Sequence, residues 1–256
     1  MPKFDLSLQI PLVNAAGSLG FVPDPYGRVD LKALGAFITN PVSLRPRAPA
    51  KEKRFIAFSG GFLLHTGFPN PGLKAVIRRC AAPWARSPVP VWLHLIAHQP
   101  AEVFEMVQRL ERVEGVMGVE VGLPPGVDAE TALEFARAAG GELPALLRLP
   151  FESARELAGP LAAASAETGL AAVSLAPPRG LLFDSLGNPI QGRLYGPGIF
   201  PLALAAVQFL VKTGLPVIGA GGVYRPSDIE AMLSAGAAAV QLDSMLWRSG
   251  LRKGGE

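Results

Sequence analysis

The chain has 256 residues, 49% hydrophobic and 18% charged, with a net charge of +3, a balance that excludes a disordered chain. No Lys/Arg block stands out, so neither nucleic acid nor a membrane surface is an expected partner. The lone Cys80 excludes an internal disulfide, the N-terminal MPKFDLSLQIPL lacks the apolar core of a signal peptide, and no run approaches the ~20 apolar residues of a bilayer span; a cytoplasmic protein is expected.

Short apolar runs alternate with helical patterns along most of the chain. The runs predict strands at 12–14, 36–39, 89–95, 117–121, 145–149, 171–175, 216–219 and 239–242. Helices are expected at 30–34, 72–82, 101–113, 129–139, 153–168, 199–213 and 226–235, with a short one after Ser244. Cys80 falls on the second of these, after Arg78-Arg79, and reads as a packed thiol rather than a nucleophile. Two connections, about 41–71 and 176–197, are long for a compact domain, as active-site loops are.

Eight strand–helix pairs in this order, in a length near the ~250 residues of one barrel, predict an α/β chain folded as a single (β/α)₈ TIM barrel over residues 1–256. Pattern alone leaves an open doubly wound sheet available. The last βαβ unit is the most informative. Pro226 suits a first helical position, Asp228 and Glu230 sit in the first turn, and Ile229, Met232 and Leu233 form one apolar face. The strands on either side end in Gly219-Ala220-Gly221-Gly222 and Asp243-Ser244. Free backbone N–H groups at such strand ends can cradle a phosphate, and the loops after strands 7 and 8 are the usual phosphate site of these barrels.

Six segments, met in order, resemble one family. They are Asn14-Ala15-Ala16-Gly17-Ser18-Leu19-Gly20-Phe21, Leu34-Gly35-Ala36-Phe37-Ile38-Thr39, Leu44-Arg45-Pro46-Arg47, Gly67-Phe68-Pro69-Asn70-Pro71-Gly72-Leu73, Gly192-Arg193-Leu194-Tyr195-Gly196-Pro197-Gly198 and the terminal βαβ unit. Together they are similar to the dihydroorotate dehydrogenases, most of all the class 1 enzymes. The resemblance implies an FMN-dependent oxidoreductase of pyrimidine biosynthesis acting on a small-molecule CH–CH or enone substrate. It also implies a homodimer, with an iron–sulfur subunit in one subtype. By the same resemblance Ala15, Ala16 and Gly17 would lie at the flavin ring edge and Thr39 and Asn40 beside the ring. Arg148 would be the cation near flavin N1/O2, standing where the family has lysine. Gly196, Ala220, Gly221, Gly222, Asp243 and Ser244 would hold the FMN phosphate.

The departures concentrate on the substrate side. Asn40 stands where the family has a lysine, and Glu120-Val121-Gly122-Leu123-Pro124-Pro125-Gly126 replaces the segment that carries its base and a substrate asparagine. Leu64 and Leu175-Ala176-Pro177-Pro178 replace further substrate asparagines. A site specifies a polar ligand by pairing its hydrogen bonds, so these losses argue against dihydroorotate as the substrate. Asp243 puts a carboxylate into the phosphate cradle, where it must point away or pair with a cation such as Arg225 or Arg248. His65, His94 and His98 cluster near the same barrel end, and His65, His94 and Arg148 are the candidates for chemistry. A metal triad of the histidines has no helical spacing logic, and no metal is expected. Glu120 is a candidate acid or a partner for Arg148. Two alternatives stay open: a non-catalytic barrel binding FMN or a phosphate ligand, and a flavin-free barrel enzyme on a phosphorylated small molecule.

Overall fold

A computed structural model describes residues 8–27, 29–51 and 54–248. In chain order it runs β1 (Leu12–Asn14), β2 (Phe37–Ile38), β3 (Arg54–Phe58), β4 (Gly61–His65), α1 (Leu73–Ala85), β5 (Val91–Ile96) and α2 (Pro100–Leu110). There follow β6 (Val116–Gly122), α3 (Ala129–Ala139), β7 (Ala145–Leu149), α4 (Ala154–Ala163), α5 (Ser165–Thr168), β8 (Leu170–Leu175), β9 (Arg179–Phe183) and β10 (Pro189–Tyr195). The chain finishes with α6 (Phe200–Val211), β11 (Val217–Ala220), α7 (Pro226–Ser234), β12 (Ala239–Leu242) and α8 (Met245–Arg248).

Eight strands pair in parallel in the order β1-β12-β11-β8-β7-β6-β5-β2. The two ends of that order meet: Val13 bridges Ala36, and the Gly35 N–H donates to the Leu12 carbonyl at 2.7 Å. Asn14 clamps the seam, its amide donating to the Ile38 carbonyl at 2.7 Å and its carbonyl accepting from the Ile38 N–H at 2.8 Å. A side chain thus supplies the ladder bonds the two short strands lack, and the sheet is a barrel rather than an open sheet.

Strand alternation sorts the interior into layers. The lower lumen is apolar, filled by Val13, Ala36, Ile38, Trp92, Leu146, Ala172, Ile218 and Ala239. Two residues further along four of those strands come His94, Arg148, Ser174 and Gln241, and Glu120 joins them from β6. The outer faces of the strands pack on the helices in a second, larger core that includes Trp84, Phe135, Met106 and Leu210. Helix α3 starts where Asp128 accepts the Thr131 N–H at 2.8 Å. Cys80 belongs to this outer core, and burial raises its thiol pKa.

Two expectations change. The segments at 41–71 and 176–197 are not bare loops: they contribute β3, β4, β9 and β10, an antiparallel sheet in the order β3-β4-β10-β9 laid over the barrel mouth. Their apolar residues do not alternate cleanly, because each strand packs on the barrel only in part. The helix expected over 153–168 breaks at Ala164 into α4 and α5.

Candidate active site at the barrel mouth

The polar layer forms one buried network. Glu120 is fully buried and accepts from His94 Nδ1 at 2.6 Å, from Ser174 Oγ at 2.7 Å and from Gln241 Nε2 at 2.9 Å. Arg148 Nη1 lies 3.9 Å from the same carboxylate, and its Nε donates to the Leu175 carbonyl at 3.3 Å. Burial pushes the Glu120 pKa up, but Arg148, His94 and Ser174 outweigh it and hold the carboxyl at about 2. Burial lowers the His94 pKa against the pull of Glu120, so at neutral pH the ring is uncharged and its Nδ1–H donates to Glu120. Among the described residues Nε2 has no protein partner, and His94 lines the cavity above.

That cavity, about 330 Å³, sits between the barrel mouth and the antiparallel sheet. This is within the range of small-molecule sites. Arg148 and His94 form its floor; Arg179, Arg193, Arg47 and His65 come from the covering segments, with Phe68, Pro124 and Pro125 as apolar wall. Arg193 lies over the Phe68 ring at 4.5 Å, and among the described residues no carboxylate pairs with it. Burial and the neighbouring Arg148 and Arg179 bring its pKa down to about 10. Arg47 is tied to the Gly67 carbonyl at 2.7 Å, and its Nη1 lies 3.5 Å from His98 Nε2. The histidines do not converge: His65 is exposed on the rim and His94 lies at the floor. Among the described residues no group of three His, Cys, Asp or Glu could hold a metal.

The other half of the mouth is different. Asp243 neither points away nor meets Arg225, whose guanidinium pairs with Asp228 at 3.0 Å at the start of α7; the Arg248 side chain lies outside the described residues. Asp243 is 8% exposed and accepts from the Ser244 N–H and from Ser244 Oγ. Burial raises its pKa, opposed by Ser244, Arg148 and the Gly222 N–H. Ser244 Oγ lies 2.6 Å from Tyr224 Oη. Gly222 and Gly196 serve chain packing. A Cβ on Gly222, at φ +70°, would lie 2.4 Å from the Phe200 nitrogen, and one on Gly196, at φ +123°, 2.4 Å from Gly61 Cα. Gly221 approaches the Ala203 methyl, and Ala220 is in the outer core.

The remaining expected cofactor residues are engaged within the chain. Ala15 donates its N–H to Leu242 and accepts from Ser18, Ala16 packs on the lower lumen, and Gly17 turns the chain at φ +90°. Thr39 Oγ1 donates to the Asn40 carbonyl and accepts from the His94 N–H. Asn40 exchanges hydrogen bonds with the Gly20 backbone. Over this half lie aromatic rings: Phe62 stacks on Tyr195 at 5.4 Å, Trp247 lies 6.4 Å from Tyr195, and Trp247 Nε1 donates to the Ser18 carbonyl at 2.9 Å.

Sequence reasoning finds Arg148, His94 and Glu120 but misses Ser174, Gln241, Arg193 and Tyr195. The first two were readable by counting two residues on from Ala172 and Ala239. Arg193 and Tyr195 share one face of β10, and that strand itself was not foreseen.

A parallel barrel with a cation-lined cavity at the C-terminal ends of its strands is an α/β-barrel ligand site. Residues 3–137, more than half of the chain, match the family model described as Dihydroorotate dehydrogenase. The chain is 31% identical over 257 residues to a protein of Pelobacter propionicus named dihydroorotate dehydrogenase B (NAD(+)), catalytic subunit, covering 93% of this chain and 84% of that one. A protein of the same name from Trichlorobacter lovleyi is 30% identical, with the same coverage of both chains. Among solved structures it is similar to that of DHODH from Eimeria tenella in complex with ferulenol, with a TM-score of 0.77 at 15% identity, over 96% of this chain and 79% of that one. The chain belongs to the dihydroorotate dehydrogenase family, whose members are CH–CH oxidoreductases and flavoproteins of pyrimidine biosynthesis. No helix among the described residues is long and apolar enough to cross a membrane.

FMN is the group this family implies. The residues present do not fit it as the resemblance would place it. A buried carboxylate takes the Ser244 donors of the cradle, and the Tyr195 ring reaches over the mouth to within the influence of Arg148 and Asp243.

Proposed function

We propose that this member of the family binds a small anionic molecule, bearing a carboxylate or phosphate, in the cavity between the mouth and the antiparallel sheet, and moves a proton on it. The convergence of Arg148, Arg179 and Arg193 on one partly buried cavity carries this reading. Cations crowded together where burial lowers their pKa are stabilised by an anion between them. His94 supplies the proton acceptor: its free Nε2 takes a proton from the bound acid, Glu120 holds the resulting imidazolium through Nδ1, and the charge left on the ligand meets Arg148 and Arg193.

A second reading is the family's own reaction, FMN-dependent oxidation of a small CH–CH substrate. Membership of the family and the place of Arg148 at the end of β7 favour it; Asp243 and Tyr195 oppose it. The absorption spectrum separates the two. On the first reading the purified protein has no flavin band. Phosphate, malonate or orotate then gives a calorimetric binding signal that Arg193→Ala weakens by about 10-fold or more, and a bound carboxylate exchanges its α-protons in D₂O unless His94 is replaced by Gln. Yellow protein bleached by anaerobic dihydroorotate would sink the first reading and establish the second.

A further inference from the structure

The half of the mouth on the side of β1, β11 and β12 is as densely built as the arginine-lined half. Three observations meet there. The Asp243 carboxylate is buried between the ends of β11 and β12 and is held by the Ser244 N–H and hydroxyl. Ser244 is itself held by Tyr224, 2.6 Å away, from the β11–α7 connection. Above them, Phe62, Tyr195 and Trp247 form a ring cluster with centroid separations of 5.4, 6.2 and 6.4 Å. Trp247 Nε1 anchors the cluster to Ser18 in the turn after β1, and Tyr195 also lines the cavity whose floor holds Arg148 at the end of β7. The cluster therefore spans the mouth from the end of β1 toward the end of β7.

These are the positions at which the family resemblance puts a phosphate and a planar ring. A phosphate needs backbone donors, and here a carboxylate of the same sign has them. A flavin ring needs a flat gap between the β1 turn and the cation at the end of β7, and here a tyrosine stands in it. We infer that the chain carries an internal substitute for the family's cofactor, with Asp243 in the place of the phosphate and the Tyr195–Trp247–Phe62 cluster in the place of the ring. The barrel mouth is thereby closed on this side without any bound group. This inference does not depend on which anion enters the open cavity.

The test is FMN retention after desalting, with quenching of its fluorescence, for the wild-type protein, Asp243→Gly and Asp243→Gly/Tyr195→Ser. Tyr195→Ser alone is measured beside them. Wild-type protein retains no FMN; the double variant binds it about 100-fold more tightly or better, since a buried like charge and a blocking ring have both been removed. Tyr195→Ser alone gains much less, because Asp243 still occupies the cradle and does not line the arginine cavity; a full gain with Asp243 in place would put FMN in that cavity and overturn the inference. Stoichiometric FMN in the wild-type protein overturns it outright. A folded double variant that retains FMN no better than the wild type also overturns it, since these side chains would not be what bars the cofactor. If Asp243→Gly does not fold, Asp243→Ser, which leaves a neutral hydroxyl for the cradle N–H groups, carries the same comparison.

Discussion

The two halves of the barrel mouth use charged residues in opposite ways. On the side of β5 to β8, Arg148 and Arg193 face a cavity, and the buried carboxylate beneath them, Glu120, already serves His94, Ser174 and Gln241. On the side of β1, β11 and β12, Asp243 is held by Ser244, and the aromatic rings lie over it. The first half leaves arginines facing open space and so is built for a ligand; the second fills its space with its own carboxylate and rings. Charge count does not separate them, whereas the presence of free donors over a cavity does.

The comparison can be broken most forcefully at Glu120. Replacing it with Ala leaves Arg148 buried without its carboxylate and His94 without its acceptor, and should cost about 3–5 kcal/mol in denaturant unfolding. Glu120→Gln, which retains hydrogen-bonding capacity, should cost less; equal losses would mean that the charge at the floor is immaterial. On the closed half, Gly222→Ala forces a Cβ onto the Phe200 backbone at φ +70° and should cost about 1–3 kcal/mol, read the same way. A neutral result would mean that this half is loose enough to admit a ligand.

Arg193→Ala should weaken malonate or phosphate binding by about 10-fold or more in calorimetry. Stability should change by less than about 0.5 kcal/mol, because the arginine has no carboxylate partner to lose. A large loss of stability with unchanged affinity would make Arg193 a structural residue instead.

The smallest effect distinguishes the halves by sign. Glu120 and His94 both have folded pKa values below their ordinary ones. Their stabilising contributions are complete above about pH 6.5 for His94 and about pH 4.5 for Glu120, and fall away in acid, that of Glu120 as pH drops toward about 2. Asp243 has a raised folded pKa, so between its ordinary value of 3.8 and that raised value the folded state takes up the proton first and gains stability as pH falls. Asp243→Asn should therefore steepen the loss of stability from pH 6 to 4, measured by thermal unfolding. A shallower slope would show that Asp243 is not desolvated in the cradle.

Much of the barrel was legible because each strand and helix is specified locally. The runs at 145–149 and 239–242 match β7 and β12, the run at 129–139 matches α3, and the capping role of Asp228 was visible as an acid in a first turn. The antiparallel sheet was not legible, because β9 buries none of its residues fully and β10 ends in three half-buried ones over a cavity rather than over a continuous core. Closure was not legible either, since it rests on Asn14 reaching the Ile38 backbone 24 residues away.

The candidate site divides along the same line. Sequence by itself determined the succession of barrel strands and helices, the family and the residue types gathered at the strand ends, because periodicity, turn chemistry and motif order are properties of neighbours in the chain. Only the tertiary structure decided what those residues do. It put Glu120 within reach of Gln241 from the far end of the chain, left Arg193 facing a cavity, and turned Asp243 into the cradle instead of toward Arg225. Whether a charge is satisfied or waits for a ligand depends on which other groups lie within a few ångströms, and in a closed barrel those groups come from every strand at once.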